Sequence, residues 1–145
     1  MLARSRCLFR RFELGTVPVR DRAGALRVKI GQWTPFTASG EYVVWRGARA
    51  LVWVWDAERQ RQTMTEAGVR SARILPETVL HPLPAADGPR LLQSLDGVEG
   101  QYWQGGELLD SHWWPQPPTA TAWRHFQRGH GGVAQAEPPV AEPVV

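Results

Sequence analysis

The sequence predicts an α+β fold, a mixed sheet with two or three helices packed on it. Three features carry this. Two valine- and tryptophan-rich segments flank a short turn, an apolar run with three- and four-residue spacing precedes them, and short strand-like runs separated by Asp-Gly and Gly-Gly follow. With 145 residues, 43% of them hydrophobic, the chain is long enough for one core. The expected organisation is a single domain over residues 1–128, with lobes near 1–80 and 86–128. A proline-rich disordered tail or linker is expected at 129–145, where no periodicity is present.

Each element has a local reason. Cys7 to Leu14 alternates weakly and stops at Gly15, which predicts a strand with Arg10 and Arg11 at or near a sheet edge. From Asp21 to Trp33 the residues Ala23, Leu26, Ile30 and Trp33 fall on one helical face, and Pro35 ends the helix. Glu41 to Trp45 and Ala50 to Trp55 form a hairpin. In the second strand Leu51, Trp53 and Trp55 oppose Ala50, Val52 and Val54, so both faces are apolar and the strand is expected to be central.

Asp56 is a suitable N-cap for a helix from Ala57 to Ala67, with Gly68 as its left-handed stop. A strand from Val69 to Leu75 would complete a right-handed crossover if it lies parallel to the hairpin strand. Beyond the proline-rich stretch from Pro76 to Pro89, the segments Arg90 to Leu95, Gly100 to Gln104 and Glu107 to Trp113 predict an antiparallel meander. Thr119 then caps a helix carrying Ala122, Trp123 and Phe126.

Composition narrows the function classes. No stretch reaches the ~20 apolar residues of a membrane-spanning helix, and arginines interrupt the first fifteen residues where a signal peptide needs an apolar run. A cytoplasmic location is expected. Cys7, the one cysteine, reads as a strand residue. The formal net charge is +3, and the basic character is almost all arginine, gathered at Arg4, Arg6, Arg10, Arg11, Arg20, Arg22 and Arg27. That cluster supports an alternative reading as a nucleic-acid-binding module, although the excess charge is small for one.

The chemistry-bearing residues do not complete a site. The glycine pairs Gly105 with Gly106 and Gly131 with Gly132 lack the strand-to-helix setting of a phosphate loop. His81, His112, His125 and His130 have no second ligand at a metal-closing spacing. Asp110 and His112 share a strand face, and Glu99 is a further candidate acid, but no nucleophile stands beside them. The expectation is therefore a non-enzyme with no catalytic, cofactor or metal residues. Most of the eight tryptophans read as core. Trp113 and Trp114 are adjacent on one strand and must face opposite sides, so one of them reaches the surface or a packed helix. Arg10, Arg11, Trp113 and Trp114 are the expected partner-binding residues.

A resemblance adds to this reading. Arg20-Asp21-Arg22-Ala23-Gly24-Ala25-Leu26 to Ile30 leads into Trp33-Thr34-Pro35-Phe36. An apolar strand from Leu51 to Trp55 follows, then a helix ending in Ala67-Gly68, then Leu75-Pro76-Glu77. Over roughly residues 10 to 115 this order resembles the cytoplasmic, actin-like domain of the type II secretion L protein and its type IV pilus M counterpart. The resemblance implies a ribonuclease-H-like or actin-like half-fold and a role in assembling the inner-membrane platform of a secretion or pilus machine. Its implied partners are protein subunits of a membrane-associated assembly, with a second copy of the chain among the candidates, reached at the inner membrane face. The pilus branch's phosphate loops have no counterpart here, so the resemblance carries no ATP binding to this chain.

Overall fold

The computed structural model describes residues 1–70, 73–132 and 134–143. They fall into two compact units, one formed by Arg6–Pro76, the other by Met1–Ser5 together with Glu77–Val145. The first five residues thus belong with the C-terminal half of the chain.

The first unit contains β1 (Cys7–Glu13), α1 (Arg22–Trp33), β2 (Ser39–Arg46), β3 (Arg49–Asp56) and α2 (Ala57–Glu66). The sheet order is β1-β3-β2, and both pairings are antiparallel. β1 and β2 therefore run parallel on either side of β3, and α1 connects them across it as a split β-α-β unit. β3 is the central strand, buried on both faces from Ala50 to Trp55, as its two-sided apolar pattern predicts.

One face of the sheet presents Phe12, Ala50, Val52 and Val54 to Leu26 and Ile30 of α1. The other carries Trp53, which meets Phe9 at 4.9 Å and Tyr42 at 6.1 Å between ring centroids. Two of the helical positions differ from expectation: Ala23 is exposed and Ala25 turns inward. Asp56 caps α2 as predicted, accepting from the Glu58 and Arg59 amides at 3.1 Å, and Gly68 stops it at φ +75°.

The strand expected from Val69 to Leu75 is not formed by its described residues, and Ser71 and Ala72 lie outside them. Arg70 and Arg73 are exposed, which leaves only Ile74 and Leu75 half-buried, too little apolar surface to hold a strand. With it goes the parallel crossover. In place of one mixed sheet, the described strands form two three-stranded antiparallel sheets, so the chain keeps its α+β class with a different sheet arrangement.

The second unit holds β4 (Gly88–Ser94), β5 (Gly97–Gln104), β6 (Glu107–Trp114) and α3 (Ala120–Gln127). This is the expected meander, in the order β4-β5-β6. Gly105 and Gly106 both have positive φ, +61° and +76°, which the two-residue hairpin turn requires. The α3 face of the sheet packs Leu91, Val98 and Tyr102 against Trp123 and Phe126. Thr119 caps α3 through the Ala122 amide at 3.1 Å.

The described part of the segment after α3 makes hydrogen bonds to the second unit. Gln135 exchanges main-chain and side-chain hydrogen bonds with Gln127, and Glu142 pairs with Leu92 of β4. A polar side chain on α3 and the outer edge of β4 supply these hydrogen-bond partners, which the tail's own composition does not. No helix among the described residues is long and apolar enough to cross a membrane.

Candidate functional site

Strand edges and the side chains beside them are the candidate contact surfaces. β1 and β2 flank the first sheet, β4 and β6 the second. Arg10 and Arg11 sit on the β1 edge, on opposite faces because strand residues alternate. Arg10 is exposed, with its guanidinium 5.2 Å from the centre of the Phe12 ring. With Lys29, Gln32 and Trp33 of α1, Arg10 and Phe12 line a depression of about 180 Å³. On the opposite edge Trp45 of β2 is 42% exposed, a tryptophan that the core reading leaves out.

The early arginines do not form one patch. Arg6 donates to the Thr63 hydroxyl and Arg22 to the Val17 carbonyl, both at 3.0 Å. Arg4 is buried in the second unit. At least four of the seven that a nucleic-acid reading counts are engaged within the protein, Arg20 through an ion pair with Asp21 at 3.9 Å.

Trp113 and Trp114 at the end of β6 face opposite sides of the second sheet, and both are half-buried. Trp114 packs on α3, with ring centroids 6.1 Å from Trp123 and 5.6 Å from Phe126. Gly100 makes room for it: a Cβ there would lie 2.7 Å from the Trp114 ring. Trp113 shares the other face with Glu99.

Below Trp114 the α3 face opens into a cavity of about 690 Å³, lined by Asp110, His112, His125, Phe126 and Arg128 among others. Burial lowers the His112 pKa from its ordinary 6.5, Arg4 and His125 add to this, and Asp110 opposes it. Asp110 lies 3.2 Å from His130, which stacks on Tyr102 at 4.5 Å. A neutral imidazole and an aromatic wall suit this cavity to hydrogen bonding and stacking. The Thr119 hydroxyl on its rim already serves the helix cap.

Glu99, expected as a third acid beside Asp110 and His112, is on the opposite face of the sheet. There it is 0% exposed and accepts from the Thr78 hydroxyl at 2.7 Å and the Ser111 hydroxyl at 2.5 Å. Arg4 Nε is 3.6 Å from its carboxylate and donates to Ser111 Oγ at 2.9 Å. Glu77 completes the cluster, accepting from the Arg4 amide and the Leu95 amide at 3.0 Å each. His81 Nε2 stands 3.7 Å from Glu77 and 3.8 Å from Glu99, beyond hydrogen-bond reach.

These charges fasten residues 1–5 to the meander. Sequence reasoning missed Arg4 and Glu77 in this role, and the one available signal was Glu99 and Gln101 alternating with apolar Val98 and Tyr102. Among the described residues no group of three His, Cys, Asp or Glu side chains is arranged to hold a metal ion.

No protein-family model and no curated protein matches the sequence. A solved structure does: the cytoplasmic domain of EpsL, an inner membrane component of the type II secretion system of Vibrio cholerae. The likeness has a TM-score of 0.54 at 17% identity and covers 75% of this chain. The chain spans 47% of that structure's length. At this identity the likeness is one of fold.

Proposed function

We propose that this chain is a docking domain of a type II secretion or type IV pilus inner-membrane platform, acting by protein contact rather than by catalysis. The observation that carries the reading is the fold likeness to the EpsL cytoplasmic domain over three quarters of the chain. Sheet edges support it, because an edge strand presents main-chain donors and acceptors to a neighbouring subunit while side chains beside it select the partner. The β1 edge offers Arg10 and Arg11, and the β6 edge ends at Trp113 and Trp114.

The test is affinity purification of the tagged chain from its native cell, followed by reconstitution with the purified platform components it brings down. Direct binding that persists at high salt is the expected result, because an apolar and main-chain interface depends little on screening. Recovery with RNA that is lost as salt rises would favour the nucleic-acid alternative. ATP hydrolysis abolished by changing Asp110 or Glu99 would overturn the non-catalytic reading.

A further inference from the structure

The outer edge of β4 is already occupied by the chain's own C-terminal segment. The Glu142 amide donates to the Leu91 carbonyl at 2.9 Å, and the Gln93 amide donates to the Glu142 carbonyl at 2.7 Å. Around this parallel rung the side chains alternate. Ala141 packs against the cluster of Leu91, Val98, Tyr102, Trp123 and Phe126, while the Glu142 carboxylate meets Arg90 Nε at 2.9 Å. Arg90 is held for this contact by a second bond, Nη1 to the Pro82 carbonyl at 2.8 Å.

We propose that the β4 edge is a receptor for an extended acidic segment of a partner protein, and that residues 138–142 are its resident stand-in. The seated tail indicates the chemistry that fits. Main-chain pairing accepts an extended strand, the position of Ala141 takes a small apolar residue, and Arg90 selects a carboxylate at the next position.

The stand-in is built to be displaced. Pro138, Pro139 and Pro143 lack amide donors, which confines strand pairing to the stretch between them. Val140 is 94% exposed, and the Glu142 side chain is 54% exposed, where an ion pair contributes only ~0–1 kcal/mol. A partner segment without prolines could make further rungs along Gly88–Ser94. Its apparent affinity is lowered by the fraction of time the tail is seated.

This inference does not depend on which assembly the chain serves, so its failure and that of the platform reading are separate results. The test is an NMR titration of the full chain with the hexapeptide Val-Thr-Val-Ala-Glu-Val and with its Glu-to-Lys counterpart. Saturable shifts at the Leu92, Gln93 and Glu142 amides with the acidic peptide are expected, together with weaker binding of the lysine peptide. Glu142→Arg, which replaces the ion pair by a like-charge contact with Arg90 and so loosens the tail, should tighten binding of the acidic peptide about threefold, and Arg90→Ala should remove the preference for acid. Equal binding of the two peptides, or no shift at Gln93 even in the Glu142→Arg chain, would overturn the proposal.

Discussion

Arg4 and Glu99 face each other 3.6 Å apart with side chains 6% and 0% exposed, so the second unit encloses an ion pair drawn from its first and its middle strand segments. Desolvating two charges is costly, and the pair is compensated in part: Ser111 accepts from the Arg4 guanidinium, and the Thr78 and Ser111 hydroxyls donate to Glu99 Oε2, while Glu99 Oε1 makes no hydrogen bond among the described residues. Removing one partner strands the other. Arg4→Met should destabilise the unit by about 3–5 kcal/mol, read as a lower urea midpoint, and Arg4→Met with Glu99→Met should recover much of the loss. Equal loss in the single and double variants would show that the pair itself does not set the cost.

Gly24 and Gly31 lie in α1, and a Cβ at either meets nothing within 4 Å. Alanine at each should therefore stabilise the first unit by ~0.5–1 kcal/mol through helix propensity alone. A rise in thermal midpoint checks this, and a fall would mean that one of these glycines has a contact not visible in the fold.

Gly100 is the opposite case. A methyl group there would press on Trp114 and on Trp123, 2.7 and 3.2 Å away, so Gly100→Ala should cost ~1–3 kcal/mol and alter the near-ultraviolet tryptophan signal. An unchanged spectrum would show that the β6–α3 packing is looser than the geometry indicates.

His112 gives a pH dependence with a definite sign. Burial, Arg4 and His125 lower its folded pKa below the ordinary 6.5, so the unfolded chain binds this proton more readily. Its contribution is intact above pH 6.5 and is lost as pH falls from there through the folded value. Urea denaturation of His112→Asn across that window should show a flatter pH profile than the wild type, and a parallel profile would assign the dependence to other groups.

Legibility in the sequence follows the range of the contacts. The two-sided pattern of Ala50 to Trp55, the Asp56 and Thr119 caps and the Gly105-Gly106 turn all declare themselves within a few residues. The partners of Arg4 stand 73 and 107 residues away, so nothing near position 4 distinguishes it from a surface arginine. Glu77 is equally silent, since both of its carboxylate oxygens serve amides that are distant in sequence or across a loop. The contacts of the tail are silent for the same reason: its partners are Gln127 and the β4 edge, and only the alternation of Ala141 and Glu142 hints at a strand. Arg10, Arg11, Trp113 and Trp114 were placeable on edge strands because alternation fixes the face a residue takes, whereas partner choice is not encoded at that level.

The passage of residues 1–5 into the unit formed by the C-terminal half has a kinetic consequence. As the chain leaves the ribosome, Arg6–Pro76 is complete and able to collapse before Ser111 has been synthesised. Arg4 is translated more than a hundred codons before its partner Ser111. That docking is therefore a late, non-local contact, and a nascent chain stalled before the final hairpin would lack the Ser111 side of the seat.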